Sequence, residues 1–227
     1  MHKEVKDFDI CLTVDDILTG QGIDPARASA RLIETAESVI EEAQTLIKPA
    51  ALHTIVNVTE FEHRTVRFEG GYFEGSLVAK AMAGADQLDI AVCTIGDALE
   101  KRVEEMMNEN PVQAIALDGA GIAAVGKVSR TVEDIISSEA CQLNLDLGMR
   151  AQPGQEGWPI EQQRQVFSVL PAEQIGVRLT ETCLMIPRKS VSFVVPRGKD
   201  LENGASPCDF CSKRNRCDWR KEKKVAT

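Results

Sequence analysis

A chain of 227 residues with a formal net charge of −9, 43% hydrophobic and 27% charged residues has the make-up of a globular protein large enough to bury a real core. Only seven Phe, two Trp and one Tyr are present, so the core rests on Ile, Leu, Val and Ala, and the acidic balance argues against nucleic acid as a partner. No apolar run approaches the roughly 18–20 residues of a membrane span, and the opening MHKEVKDFDI carries neither an apolar leader nor an Arg-rich presequence, so the expectation is a cytoplasmic protein with no membrane partner.

Asp24 followed by Pro25 reads as a helix start, with a capping carboxylate before a proline in the first helical position. Ile33, Ala36, Ile40, Ala43 and Ile47 then recur at helical spacing up to Pro49. ALHTIVNVTEF and TVRFE read as strands, and EGSLVAKAMAG as a short helix closed by glycine. QLDIAVCTIG reads as a strand feeding a helix, with Asp97 and Glu100 in capping-box spacing. Pro111 opens a long helix whose face of Ala114, Gly119, Ala123 and Gly126 suits close packing. Its GAGIAA also matches a dinucleotide fingerprint, but no second strand separates it from Glu133 or Asp134, so packing is the better reading.

A turn-rich RAQPGQEGWP leads into the helix IEQQRQVFSVL, and the apolar stretches IGVRL and SVSFVV bracket Pro187. This order has no regular βαβ repeat and predicts an α+β fold, a twisted antiparallel sheet with flanking helices. Residues 1–200 are expected to form one domain and residues 201–227 a tail. From Cys208 onward the tail holds seven Lys or Arg against three Asp or Glu.

Seven cysteines, four of them scattered at Cys11, Cys93, Cys141 and Cys183, do not form a disulfide framework. The other three lie together in CDFCSKRNRC. Cys208 and Cys211 make a C-x2-C chelating step, and Cys217 adds a third sulfur. Three thiolates suit zinc completed by another ligand, or an iron–sulfur cluster with one site open or completed from elsewhere. The other reading is a solvated tail with free thiols.

Two segments carry a family resemblance. GVRLTETCLMIPRKSVSF, through Leu179, Thr180, Glu181, Met185, Pro187, Ser190, Val191 and Ser192, resembles the signature of the activation domain of cobalamin-dependent methionine synthase. Upstream, Arg150, Pro153, Gly154 and Pro159 fall in register with that family's S-adenosylmethionine loop, Arg-x-x-x-Gly-Tyr-x-x-Cys-Pro. The resemblance is specific over residues 146–193, compatible back to the N-terminus, and ends at about residue 200.

The resemblance implies a stand-alone activation subunit that docks on a corrinoid (cobalamin) methyltransferase. It would support S-adenosylmethionine-dependent reductive remethylation of the inactive cob(II) state, with an electron donor as a further partner. It also implies a ligand site at Arg150, Ala151, Pro153, Gly154, Gln155, Trp158, Pro159, Glu181 and Ser190. Arg150 suits a bidentate grip on a carboxylate, and Pro153–Gly154 a turn that lets backbone approach a ligand. Taken alone, Arg150 also reads as a surface ion-pair residue. Glu181 and the Ser190–Ser192 pair read equally as ligand contacts or as capping and sheet-edge residues.

The chain departs from the family pattern at two places. Gln155 stands where the family has tyrosine, with Trp158 nearby as an aromatic substitute, and Asn144 stands where it has glutamate. These departures keep open a corrinoid-protein cap without S-adenosylmethionine. The tail keeps open a small electron-transfer protein.

Overall fold

The computed structural model describes residues 2–199, 201, 209 and 211–213. In chain order its strands are β1 (Lys3–Val5), β2 (Ala50–Glu62), β3 (Thr65–Phe68), β4 (Gly71–Glu74), β5 (Gln87–Thr94), β6 (Asp146–Leu147), β7 (Arg178–Leu179), β8 (Met185–Ile186) and β9 (Ser190–Gly198). The helices are α1 (Val14–Gly20), α2 (Ala30–Leu46), α3 (Ser76–Ala81), α4 (Ala98–Glu109), α5 (Pro111–Gln142) and α6 (Gln163–Val169). The main sheet runs β4-β3-β2-β5-β9-β6 with β1 on β2, while β7 and β8 form a separate ribbon. Every pairing is antiparallel, as the mixed element order predicts. Among the described residues no helix is long and apolar enough to cross a membrane.

Side-chain alternation sorts the sheet into two faces. Ala51, Ala91, Cys93, Phe193 and Val195 point into a core shared with α1, α2, α4 and α5. Leu52, Leu88, Ile90, Val92 and Val194 point into a second core with the β3–β4 hairpin, α3, α6 and Trp158. Apart from Gln87, β5 is buried along its whole length, which explains a strand without polar alternation.

The long helix depends on its small residues. A Cβ on Gly20 of α1 would stand 2.1 Å from the Gly119 carbonyl oxygen, and one on Gly119 would stand 2.9 Å from that of Ile17. The GAGIAA segment lies wholly within α5, with Gly119, Gly121 and Ala124 buried. It therefore packs and forms no phosphate loop. The predicted small face extends less far than expected, because a Cβ on Gly126 would meet nothing within 4 Å.

One predicted helix start and one predicted capping box differ from the structure. Asp24 and Pro25 open only a 3-10 turn, Pro25–Arg27, and α2 begins afresh with Ser29 as its cap. Asp97 makes no capping hydrogen bond. Its carboxylate pairs with Lys101 Nζ at 2.5 Å, and Glu100 Oε2 instead accepts the Arg188 N–H at 2.7 Å. Asp24 does cap its turn, Oδ1 accepting the Ala26 N–H at 3.0 Å, whereas at the head of α4 the Asp97 carboxylate is drawn to Lys101 instead of the helix amides.

Beneath α5 the sheet buries a charged group. Arg197 of β9 donates through Nε and Nη2 to both oxygens of Asp89 on β5, and His53 Nε2 of β2 lies 2.5 Å from Asp89 Oδ1. Asp89 and Arg197 are fully buried and His53 is 1% exposed, so three neighbouring strands share one carboxylate. Removing only the anion would leave a buried cation uncompensated. Asp89→Ala is therefore expected to cost about 3–5 kcal/mol in urea denaturation, whereas Asp89→Leu combined with Arg197→Met should cost clearly less than the sum of the two single changes.

Candidate functional site

The site starts where α5 ends. Asn144 adopts a left-handed φ of 52° and the Leu145 N–H returns to the Ala140 carbonyl at 3.0 Å, which turns the chain back along the sheet. Asparagine at this position thus serves the helix exit. Beyond it, β6 pairs with the end of β9, the Gly148 N–H donates to Pro196 O at 2.8 Å, and Ala151 and Val194 exchange hydrogen bonds of 3.0 and 2.8 Å. A Cβ on Gly148 would sit 2.8 Å from Pro196 Cγ, so this close approach needs glycine. The loop that follows Arg150 and the strand Ser190–Gly198, distant in sequence, are neighbours in the sheet.

Ala151 turns into the second core and Arg150 to the opposite face. The Arg150 guanidinium carbon lies 4.3 Å from the Phe193 ring centroid, a cation–π contact. Its Nη1 lies 3.1 Å from Glu133 Oε1 on α5, with side chains 34% and 33% exposed. Neither Arg150 Nε nor Glu133 Oε1, both buried atoms, has a hydrogen-bond partner. Burial raises the Glu133 carboxyl above its ordinary range against the opposing pull of Arg150. Nearby, burial pushes the Cys93 thiol up to about 12, with Arg150 lowering it and Glu133 raising it. A half-buried cation and anion, side by side with unspent hydrogen-bonding capacity, suit a ligand that carries both charges. Sequence reasoning passed over Glu133 because it is remote from the loop in the chain. Only the packing of α5 on the sheet brings it to Arg150.

The loop itself is held by its own backbone. Gly154, at φ 92°, donates its N–H to Trp158 O at 2.9 Å, and the Trp158 N–H returns to Gln155 O at 2.9 Å. Gln155 Oε1 accepts the Gln152 N–H at 2.9 Å, so this side chain closes the loop. Pro153 is buried, while Gly154 and Pro159 are exposed. Trp158 is 1% exposed and meets Phe73 edge-on at 5.0 Å. The indole therefore belongs to the core beneath the loop and supplies no surface in place of the missing tyrosine. Gly154, Gln155, Trp158 and Pro159 together with Arg64 line a shallow cavity of about 350 Å³. Gly157, at φ 87°, accepts the Leu77 N–H through its carbonyl at 3.0 Å, tying the loop to the start of α3.

The remaining predicted residues take structural positions. Glu181 is exposed, and its carbonyl accepts Arg164 Nη2 at 2.8 Å. Ser190 Oγ donates to Thr94 Oγ1 at 2.9 Å, and Ser192 Oγ to Gln163 Oε1 at 2.7 Å, fastening β9 to β5 and to α6. Cys208 and Cys217 lie outside the described residues. Cys211 is half-buried with a free thiol. Among the described residues no group of three or more His, Cys, Asp or Glu could hold a metal ion.

No family model matches the chain, and no curated protein does. Thirteen chains among solved structures match. One is the crystal structure of the MetH reactivation domain bound to AdoHcy, with a TM-score of 0.63 over 90% of this chain and 81% of that one, at 14% identity. The chain therefore has the fold of the MetH reactivation domain, as the two signature segments imply.

A tight glycine in the loop and an open one outside it set a stability test. A Cβ on Gly157 would combine the left-handed φ with a 2.6 Å approach to Ser76 Oγ, whereas Gly176, at φ 74°, has open space around it. Gly157→Ala should lower stability by about 2–3 kcal/mol and Gly176→Ala by only about 1 kcal/mol, read from thermal unfolding of the two variants side by side.

Proposed function

We propose that the chain is an activation module for a corrinoid-dependent methyltransferase, holding S-adenosylmethionine at the Arg150 loop while docked on the corrinoid-carrying partner. The observation that carries this reading is the hydrogen-bonded adjacency of Ala151 and Val194. It joins the two segments that resemble the methionine synthase activation domain into one edge of the sheet. The fold likeness to a domain bound to AdoHcy supports the same ligand class.

The residues present fit the amino-acid end of such a ligand. Arg150, steadied by Phe193, is placed to grip an α-carboxylate, and Glu133 beside it to receive an α-ammonium. Glu133 also supplies the carboxylate that the sequence pattern lacks at Asn144. The exposed turn at Gly154 lets backbone come close to a ligand without a side chain between them. Bound S-adenosylmethionine would supply a transferable methyl group and the partner's corrinoid the metal that receives it, while this chain binds and orients. Reduction of the partner requires an electron donor. An iron–sulfur cluster on Cys208, Cys211 and Cys217 would be one carrier of that electron, whereas zinc there would be redox-inert.

Calorimetry on the full chain with S-adenosylmethionine and S-adenosylhomocysteine tests the reading. The wild type should bind both, and Arg150→Ala should bind about 10- to 100-fold more weakly, the value of one charge-assisted contact. Equal binding by wild type and Arg150→Ala would move the ligand elsewhere. A folded wild type that gives no heat with either ligand would favour a corrinoid-protein cap that works without it.

A further inference from the structure

Exposed apolar side chains are concentrated at one place on this chain. Of the eight large hydrophobic residues exposed among the described residues, Met107, Val112, Ile115 and Ile122 lie on α4 and α5. At about 100° per residue, Val112, Ile115 and Ile122 fall within an arc of about 80° on α5, away from the face through which Leu117, Ala120 and Ala124 enter the core. Met107 and Ile115 line a groove of about 430 Å³ between the two helices, which the buried Val103 also lines. A contiguous apolar patch of this kind on a folded domain marks a contact surface.

The rim of the groove carries both signs of charge. Arg188 Nη2 lies 2.6 Å from Glu104 Oε1, with side chains 65% and 67% exposed, and Lys189 Nζ lies 2.7 Å from Asp118 Oδ1. Both cations are held in place. The Arg188 N–H donates to Glu100 Oε2 at 2.7 Å, and the Lys189 stem lies against Gly121, where a Cβ would stand 3.1 Å from its Cε. A rim with a fixed cation beside an exposed anion is complementary to a copy of itself turned about a two-fold axis. Its balanced charge offers no comparable match to a strongly basic or strongly acidic partner.

We infer that the α4–α5 face pairs two copies of this chain, with Met107 and Ile115 at its centre and Arg188 of each copy set against Glu104 of the other. The four apolar side chains of one copy are then covered by the same four of its mate, which is how an isologous contact closes. Each exposed Arg188–Glu104 pair within a chain is exchanged for one across the axis, so little electrostatic attraction is lost. Burial of the apolar centre supplies the gain. Glu133 lies roughly 27 Å along α5 from Ile115, so the contact is well away from the Arg150–Glu133 pair. The pairing does not depend on the function proposed above.

Sedimentation velocity on the full chain, from about 1 to 100 μM, tests the pairing. The wild type should be a dimer at the upper end of that range. Ile115 is 54% exposed, so Ile115→Asp should keep the fold, checked by circular dichroism. It should raise the dimer dissociation constant about 30-fold or more, as loss of a central contact does. Arg188→Glu and Glu104→Arg should each weaken the dimer about 10-fold by setting like charges across the axis. An equimolar mixture of those two variants should recover the dimer, since each copy then meets the opposite charge on its mate. A wild type that stays monomeric would overturn the interface. In that monomer, carbodiimide cross-links from Glu104 to lysines of residues 214–227 would give the groove to the chain's own end, and their absence would leave it to a different protein. A dimer that Ile115→Asp leaves intact would overturn the interface by placing the contact elsewhere. A mixture that stays monomeric would overturn the Arg188–Glu104 pairing across the axis.

Discussion

The structure depends on one short stretch of antiparallel pairing, the run from Asp146 to Ala151 along the outer edge of β9. It settles on which face each side chain of the loop falls. Ala151 drops into the second core and Arg150 rises over Phe193, because neighbouring residues on an extended chain point to opposite sides. The pairing also covers the open edge of β9, which would otherwise present unpaired amides and carbonyls. A single set of backbone hydrogen bonds thus closes the sheet and aims the arginine.

Electrostatics in this chain is organised at two depths. The Asp89 group is sealed inside, with its carboxylate shared between Arg197 and His53, and its role is to hold three strands in register. The Arg150–Glu133 pair lies closer to solvent, each side chain about one-third exposed, and Arg150 Nε and Glu133 Oε1 have no hydrogen-bond partner. Full burial favours rigidity, whereas spare donors and acceptors at a partly open position favour exchange of partners. The loop follows the same division. Its backbone amides are mostly used internally, while its charged side chains at Arg150 and Glu156 are bound to other parts of the chain.

Much of this was legible in the sequence, for physical reasons. The alternation of Val66 and Phe68 and the unbroken apolar run of β5 reported strands, because burial on one or both faces writes itself into residue order. The loop at Arg150 was legible as motif chemistry. Glu133 was not, since nothing local marks one carboxylate on an amphipathic helix as the one that will face an arginine. Trp158 looked available and proved to be core, because a large aromatic in a Gly-rich loop carries no local signal of which way it turns. Asp24 caps as expected, but the turn it opens ends at Arg27, and Asp97 heads α4 with its carboxylate taken by Lys101 and not by the helix amides. α1 was missed, although its Thr13–Asp16 capping box was present to be read.

The contact between Gly20 and Gly119 has a reach beyond its own packing. Gly119 and Glu133 are on the same uninterrupted helix, separated along its axis by roughly 21 Å. A helix of that length behaves as a stiff rod, so its seat on α1 acts as a fulcrum. Any bulk added there would tilt the rod, and the displacement would be largest toward its far end, where the carboxylate meets the guanidinium. The spacing of that charge pair is thus governed from a place that touches neither partner.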